Sequence, residues 1–267
     1  MVSVAIAQFA PTSHKAWNLG KIEELADQAA TGGARIIVFP EYSSWFSDKL
    51  DAEFFDHAEE LDGPFVNRLK DVAAQKKLVI VAGMLERLAG SDQSRVSNTV
   101  VAVGVDGTVL ARYRKVHLYD AFGSCESDWI RSGDIVNPET FDIGDLKFGI
   151  QTCHDPRFPE VTRTLVDAGV DVVILPAERV AGLSKLDHWT ILIRARAIEN
   201  TVYVLAADHP RPIGVGNSMV VGPAGDVDGC LLDDEGLLIA EVNLDEIAAV
   251  RSRNPSVGLR RFAVVPA

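Results

Sequence analysis

The feature of this sequence that most constrains its fold is a set of short apolar runs spaced by helix-like segments. Residues 35–39, 78–82 and 170–175 consist mostly of Val, Ile and Leu. Runs of this length and composition are typical of strands that are buried on both faces. A chain with several such strands needs helices, or a second sheet, to cover each face of its sheet.

The segments between these runs alternate between helical crossovers and hairpins. Further strands are predicted at residues 3–9, 96–103, 108–113, 146–150, 201–206, 218–221 and 237–242. Helices are predicted in the segment that ends near Ala30 and at residues 65–74, 159–168 and 188–200. The residues Val105-Asp106-Gly107 are a hairpin signal between two of the strands. The pattern predicts an α/β sandwich of two β-sheets with helices outside, formed as a single domain over residues 1–267.

The overall charge restricts the kind of partner. The chain has 267 residues, of which 47% are hydrophobic and 24% charged, and its formal net charge is −12. A surface of this charge repels phosphate backbones and anionic lipids. We therefore expect a small-molecule partner rather than a nucleic acid or a membrane.

The cysteine content and the first residues indicate a compartment. The three cysteines, Cys125, Cys153 and Cys230, are odd in number and lack paired spacing. They suggest neither a disulfide framework nor a cysteine metal site. The sequence begins without a basic leader, and no apolar run approaches the ~18 residues that cross a bilayer. We expect a soluble cytoplasmic protein.

Residues 147–160, Lys-Phe-Gly-Ile-Gln-Thr-Cys-His-Asp-Pro-Arg-Phe-Pro-Glu, put Cys153 at a predicted strand-to-helix turn. Asp155 and Pro156 are predicted as the N-cap and first-turn residues of a helix. The positive end of the helix dipole would favour a nucleophilic thiolate at Cys153. The N–H of His154 points out of the same turn and would donate to an oxyanion. A buried apolar cysteine that closes a strand is the alternative.

Two charged residues stand at the ends of other predicted strands. Glu41 follows the run at 35–39, and Lys115 follows the strand at 108–113. Open α/β sheets gather their ligand sites at the carboxyl ends of strands. A carboxylate can accept the thiol proton of Cys153, and an ammonium can hold negative charge on a substrate. The three residues are candidate catalytic groups for attack on a carbonyl or nitrile carbon.

A long segment without regular periodicity, residues 116–138, follows Lys115. It carries polar and aromatic side chains, including Tyr119 and Glu126. Long irregular loops inside compact domains are usually functional. We therefore expect this loop to contribute to the site.

Three separated motifs that contain the candidate residues resemble those of the nitrilase superfamily of carbon–nitrogen hydrolases. They are Phe39-Pro40-Glu41-Tyr42, Arg114-Lys115-Val116-His117-Leu118-Tyr119-Asp120 and Thr152-Cys153-His154-Asp155-Pro156-Arg157-Phe158-Pro159-Glu160. Further resemblance lies in residues 121–126, 194–200 and 216–218. The resemblance covers essentially the whole chain.

The resemblance implies an αββα sandwich, cofactor-free hydrolysis through a cysteine thioester, and a homo-oligomer joined near the nucleophile. It assigns Cys153 as the nucleophile, Glu41 as the general base and Lys115 as the group that stabilises the tetrahedral intermediate. Glu126 matches an additional glutamate of the family that positions the lysine or the substrate, unless it only braces its loop. The basic segment at 251–267 is expected to cross to a neighbouring subunit.

Candidate substrate-binding residues are His154, Tyr119, Glu178 and Arg179. Members of the superfamily usually carry tyrosine at the position of His154, and many carry tryptophan near Arg179, so the pocket is expected to be atypical. Arg179 follows the strand at 170–175 and, if it faces the pocket, would hold a substrate carboxylate. Otherwise it is a surface arginine paired with Glu178.

The favoured activity is hydrolysis of a small carboxamide, with an ω-amide of a dicarboxylate as one candidate, to an acid and ammonia. Hydrolysis of a nitrile or an N-carbamoyl compound by the same three residues is the nearest alternative. A catalytically silent binding protein with the same fold is another. His117 and His154 lack the helical spacing of metal ligands, so no metal site is expected.

Overall fold

The computed structural model describes residues 1–49, 51–88, 90 and 95–266, in which two six-stranded sheets pack face to face between outer helices. The strands are β1 (Val2–Gln8), β2 (Ile36–Val38), β3 (Val79–Glu86), β4 (Ser97–Val103), β5 (Val109–Arg114), β6 (Thr140–Ile143), β7 (Leu146–Ile150), β8 (Val172–Pro176), β9 (Tyr203–Ala207), β10 (Met219–Val221), β11 (Val227–Cys230) and β12 (Gly236–Val242). The helices are α1 (Lys15–Thr31), α2 (Glu53–His57), α3 (Pro64–Lys76), α4 (Pro159–Asp167), α5 (Lys185–Asn200) and α6 (Leu244–Arg253). Within these described ranges, no helix has the length and apolarity needed to cross a membrane.

Each sheet has parallel strands at its centre and antiparallel strands at its edges. The first sheet has the order β12-β1-β2-β3-β4-β5, with β1, β2 and β3 parallel. The second has the order β11-β10-β9-β8-β7-β6, with β7, β8 and β9 parallel. Strands β4 and β5 form the antiparallel hairpin that the sequence predicts. Two mixed sheets with flanking helices confirm the predicted α/β sandwich.

The alternation of strand side chains divides the interior into apolar layers. Ile6 and Val38 lie in the layer between the two sheets. Their neighbours Ala7 and Ile37 lie in a second layer, which packs against α1 and α3. Successive side chains of a strand point to opposite faces, so a strand covered on both sides is apolar throughout. This accounts for the unbroken apolar runs in the sequence.

The structure corrects the prediction at the central turn. Residues Asp155–Arg157 form a single 3₁₀ turn, and α4 begins only at Pro159. The Asp155 side chain does not cap a helix but accepts the backbone N–H of Thr152 at 2.8 Å. Cys153 therefore does not lie beside the N-terminus of a regular helix.

The sequence pattern did not predict four of the elements, which are α2, β6, β11 and α6. The first three have only five, four and four residues, too few for a recognisable period. The helix α6 does carry a readable signal, because the Asn243 side chain caps the N–H of Asp245 at 2.9 Å. Arg251 and Arg253 in its last turn suit the negative end of the helix dipole.

Gly83 of β3 lies against the backbone that carries Glu41. A Cβ at position 83 would stand 2.7 Å from Cα of Glu41 and 2.7 Å from N of Tyr42. Because both contacts are backbone atoms, Gly83→Ala is expected to lower the free energy of unfolding by about 1–3 kcal/mol. Urea unfolding measures this change.

The matched control is Gly20→Ala in α1, where an added Cβ meets no atom within 4 Å. Alanine in a helix interior is expected to raise stability there by about 0.5–1 kcal/mol. If Gly83→Ala unfolds at the same urea concentration as the wild type, the close approach to Glu41 is wrong.

Candidate active site

Strands of both sheets end at one cavity of about 400 Å³. Glu41 follows β2 and Lys115 follows β5 in the first sheet, whereas Cys153 follows β7 in the second. All three line the cavity. Its other polar or charged lining residues include Tyr119, Glu126, Glu178, Arg179 and Lys185, and its apolar lining includes Phe46, Phe54, Pro212 and Ile213. The fold therefore brings most of the predicted site residues to one place.

Lys115 is the centre of a buried polar cluster. Its Nζ lies 3.0 Å from Oε1 of Glu41 and 2.9 Å from Oε2 of Glu126. Burial alone would lower the pKa of Lys115, but the interactions with Cys153, Glu126 and Glu41 outweigh burial and raise that pKa well above its usual value. Lys115 is thus a permanent cation between two carboxyl groups.

Glu126 is surrounded by donors. Its Oε1 accepts the hydroxyl of Tyr42 at 2.8 Å and the amide of Asn98 at 3.3 Å, and its Oε2 accepts the N–H of Tyr119 at 2.6 Å. Burial raises the pKa of Glu126, but Lys115 and these hydrogen bonds outweigh burial and hold the pKa below its usual value. Glu126 is therefore a fixed anion.

Glu41 also contacts Lys115, but its surroundings stabilise the anionic form less than those of Glu126 do. Its Oε1 accepts the amide of Asn98 at 2.6 Å, and its Oε2 accepts the N–H of Glu178 at 2.7 Å. Burial raises the pKa of Glu41, and Lys115 offsets burial only in part. The two neighbouring carboxyl groups thus have pKa values that are displaced in opposite directions.

Cys153 occupies an uncommon backbone position. Its φ is 44°, in the left-handed region that residues with a side chain rarely adopt. Its Sγ donates to the carbonyl oxygen of Glu178 at 3.3 Å, and its N–H donates to the carbonyl oxygen of Pro176 at 2.9 Å. Burial raises the pKa of Cys153 well above its usual value, so the thiolate expected from a helix dipole is wrong. The thiol form is favoured, and its use as a nucleophile requires a base.

His154 is not among the residues that line the cavity, and its imidazole packs against aromatic rings. It is 7% exposed and lies edge-on to the rings of Tyr119 and Phe158, with centroids 5.3 and 5.4 Å away. Burial and the nearby cations lower the pKa of His154 to about 4, so the ring is neutral. In the part of the chain that the structure describes, its backbone N–H has no protein acceptor. The N–H is therefore free to donate, and substrate binding by His154 stays a prediction.

Arg179 lies in the cavity wall rather than on the surface. Its side chain is 3% exposed, and its backbone N–H donates to Oδ1 of Asp208 at 2.7 Å. Its buried Nε and Nη2 find no hydrogen-bond partner among the described residues. A surface pair of Arg179 with Glu178 is therefore wrong, although both residues line the cavity.

Three residues of the site were not recognisable from the sequence: Asn98, Lys185 and His209. Only Asn98 carries a signal in the sequence, because it is a polar residue within β4, and the structure shows that it is buried. Lys185 is the first residue of α5, and its Nζ donates to the hydroxyl of Tyr119. The positions of Lys185 and His209 depend on tertiary packing, so no local pattern marks them.

His209 fixes the backbone that carries Glu41. Its Nε2 lies 2.8 Å from the carbonyl oxygen of Glu41, and its ring packs against that of Phe46 at a centroid distance of 4.9 Å. Burial lowers the pKa of His209 to about 4. The ring is therefore neutral, and Nε2–H donates to the Glu41 carbonyl.

Over the described ranges, no three His, Cys, Asp or Glu side chains form a group that could hold a metal ion. His117 instead lies with Nδ1 3.0 Å from Oδ1 of Asp155 and stacks on Phe158 at 3.7 Å. These contacts indicate that His117 has a structural role.

Comparison with known proteins identifies the family. The Carbon-nitrogen hydrolase family model matches residues 3–252. The chain is 33% identical to the deaminated glutathione amidase of Escherichia coli O157:H7, over 97% of each protein. It is 29% identical to the omega-amidase NIT2 of Homo sapiens, over 94% of this chain and 92% of that protein. The chain belongs to the carbon-nitrogen hydrolase family, and it is a hydrolase of carbon–nitrogen bonds.

A solved structure extends the comparison to the fold. It is a mutant amidase from Nesterenkonia sp. AN1 with covalent addition of the acetamide moiety of fluoroacetamide at the active site cysteine. The TM-score is 0.79 at 25% identity, and the match covers 97% of this chain and 94% of that one. The resemblance to the nitrilase superfamily is thus confirmed.

The neutral imidazole of His209 makes stability depend on pH. Its pKa is about 4 in the folded chain, whereas an unfolded histidine titrates near about 6.5. The unfolded state binds the extra proton between these values, so stability is expected to fall as pH decreases from about 6.5 towards 4. His209→Gln, which keeps a donor but does not titrate, is expected to flatten this decrease in urea unfolding measured across that range.

The control is His14→Gln, because His14 is exposed and makes no contact with Glu41. This variant is expected to keep the pH dependence of the wild type. Identical pH dependence in His209→Gln and the wild type would contradict a buried neutral His209.

Proposed function

We propose that this chain hydrolyses a small-molecule carboxamide to a carboxylic acid and ammonia through a thioester on Cys153. The observation that carries the proposal is the convergence of Cys153, Glu41 and Lys115 on one cavity. The amidase names of two relatives support an amide as the substrate. The cysteine adduct of the Nesterenkonia amidase supports a covalent intermediate.

In the proposed acylation, Glu41 accepts the thiol proton as Sγ of Cys153 attacks the amide carbon. The carbonyl oxygen becomes negative and is stabilised by the Lys115 ammonium and the His154 N–H. Glu41 then returns the proton to the nitrogen, the C–N bond breaks and ammonia leaves. The acyl group remains bonded to sulfur as a thioester.

In the proposed deacylation, Glu41 accepts a proton from water as the water oxygen attacks the thioester carbon. The same two donors stabilise the second tetrahedral intermediate. The C–S bond then breaks, the sulfur takes the proton from Glu41, and the carboxylic acid leaves. Glu126 keeps its charge throughout and holds Lys115 in position. These steps use protein groups and water alone, so the proposal includes no cofactor.

The size and lining of the cavity support a short acyl group. A volume of about 400 Å³ suits a small substrate, and Tyr119, Glu178 and Arg179 are the proposed contacts because they line the space. The name omega-amidase of the human relative supports an ω-amide of a dicarboxylate. We place the reaction in the cytoplasm, because three unpaired cysteines suit a reducing compartment.

Cys153→Ala is expected to lower ammonia release from amides by several powers of ten, because the covalent step is lost. Cys230→Ala, which removes an exposed cysteine of β11, is the matched control and is expected to retain activity. Both are assayed on panels of amides, nitriles and N-carbamoyl compounds, with circular dichroism to verify folding. Turnover of nitriles or carbamoyl compounds but not amides would replace the proposal, and full amide turnover in Cys153→Ala would refute it.

We also propose that the chain forms a homo-oligomer through α4 and the C-terminal arm, which is the basic segment at 251–267. The helix begins at Pro159 rather than Pro156, and the arm exposes Leu259, Phe262 and Val265. Exposed apolar side chains in such number favour burial against another subunit. Light scattering of dilute protein is expected to give a multiple of 28.9 kDa, and a fully active monomer would contradict this assembly.

A further inference from the structure

The cavity contains two buried cations that are not part of the Lys115 cluster. Arg179 is 3% exposed and Lys185 is 7% exposed, and both line the cavity. Arg179 comes from the segment after β8, whereas Lys185 begins α5. Two separate elements of the second half of the chain therefore place positive charge on the cavity wall.

Neither cation has a carboxylate partner among the residues that the structure describes. The Nε and Nη2 atoms of Arg179 are buried without any hydrogen-bond partner. The Nζ of Lys185 contacts the hydroxyl of Tyr119 and lies 4.0 Å from the ring centroid of Phe122. Hydroxyl and ring contacts leave the charge of the ammonium uncompensated. Lys115 differs from both, because two carboxylates surround it.

The nearby acidic side chains do not neutralise the guanidinium. Asp208 uses its carboxylate to accept backbone N–H groups, from Arg179 at 2.7 Å and from Val215 at 3.0 Å. Glu178 lines the cavity but forms no ion pair with Arg179 within the described part of the chain. Burial raises the pKa of both Asp208 and Glu178, which reduces their negative charge further.

A buried guanidinium without a counter-ion is unfavourable, because desolvation is not repaid by attraction to an anion. The protein therefore holds Arg179 in a state that an anionic ligand would relieve. The planar guanidinium matches a carboxylate with two parallel hydrogen bonds, and the ammonium of Lys185 adds a second point of attraction. Both groups line the cavity that holds Cys153, so the anion that they bind would be part of the substrate itself.

We infer that Arg179 and Lys185 form a carboxylate-binding subsite for the acyl part of the substrate. This inference rests on the proposed amide hydrolysis. It assigns the substrate class as primary amides whose acyl chain ends in a carboxylate, and it adds Lys185 as a specificity residue. The subsite orients the chain so that its amide end faces Cys153 and its anionic end faces away from the Glu41 and Glu126 carboxylates.

A binding experiment tests the subsite without catalysis. Thermal unfolding is measured in the Cys153→Ala protein with millimolar succinate, with butyrate as a monoanion of similar length, and with sulfate. Succinate is expected to raise the Tm of Cys153→Ala, and the increase is expected to be lost when Arg179→Gln is added. Arg68→Gln is the control, because Arg68 is a surface residue of α3 that pairs with Glu23. Equal stabilisation by sulfate and succinate would overturn the carboxylate assignment.

A kinetic experiment tests the substrate class. Succinamate is compared with 4-oxopentanamide, in which a methyl ketone replaces the carboxylate, and the ratio of their kcat/KM values is measured. Arg179→Gln is expected to lower this ratio about 100-fold and Lys185→Met about 10-fold, mainly through KM. Arg179→Lys is expected to be intermediate, because a lysine keeps the charge but loses the planar fork. Arg68→Gln is expected to leave the ratio unchanged.

The outcomes separate this inference from the proposed function. A wild-type protein that hydrolyses both amides equally, or an unchanged ratio in Arg179→Gln, overturns the subsite and leaves amide hydrolysis intact. A wild-type protein that releases ammonia from neither amide, yet binds succinate through Arg179, supports the subsite and removes the proposed reaction. If Arg179→Gln fails to fold, Arg179→Lys and Lys185→Met decide the question by the same ratio.

Discussion

The arrangement of the site depends on one buried ammonium, that of Lys115, held between the carboxylates of Glu41 and Glu126. The three groups come from the end of β5, the segment after β2 and the 3₁₀ turn at 126–128. Removing one partner from a buried charge cluster costs about 3–5 kcal/mol, because the remaining charge is left uncompensated. The ion cluster therefore joins the irregular loop to the first sheet and sets the geometry that faces Cys153.

Much of the fold and the centre of the site could be predicted because both depend on local patterns. Buried strands of an α/β sheet are read from unbroken apolar runs, and residues just past their carboxyl ends meet in space. That reasoning placed Glu41, Lys115 and Cys153 at one location, and the structure brings them to one cavity. Arg179 was a candidate there on the same ground, with a surface pair to Glu178 as the alternative, and it does line the cavity.

The remaining features depend on tertiary contacts that local sequence does not encode. Asp155 looked like a helix cap, but its carboxylate accepts the hydroxyl of Tyr113 and the N–H of Thr152, so the chain makes a 3₁₀ turn instead. The thiolate expected at Cys153 was wrong for the same reason, because no regular helix begins there and burial raises the pKa of the thiol. Asn98 and His209 position Glu41 across distances of 57 and 168 residues in sequence.

The central proposal is that the acyl group of an amide becomes bonded to Sγ of Cys153. Mass spectrometry of the peptide that contains Cys153, after acid quenching of the enzyme with excess amide, tests it most directly. The predicted result is an increase equal to the acyl group on that peptide, removable by hydroxylamine and absent from the peptides of Cys125 and Cys230. Steady ammonia release with no acyl group on Cys153 at any quench time, together with an active Cys153→Ala variant, would contradict the claim.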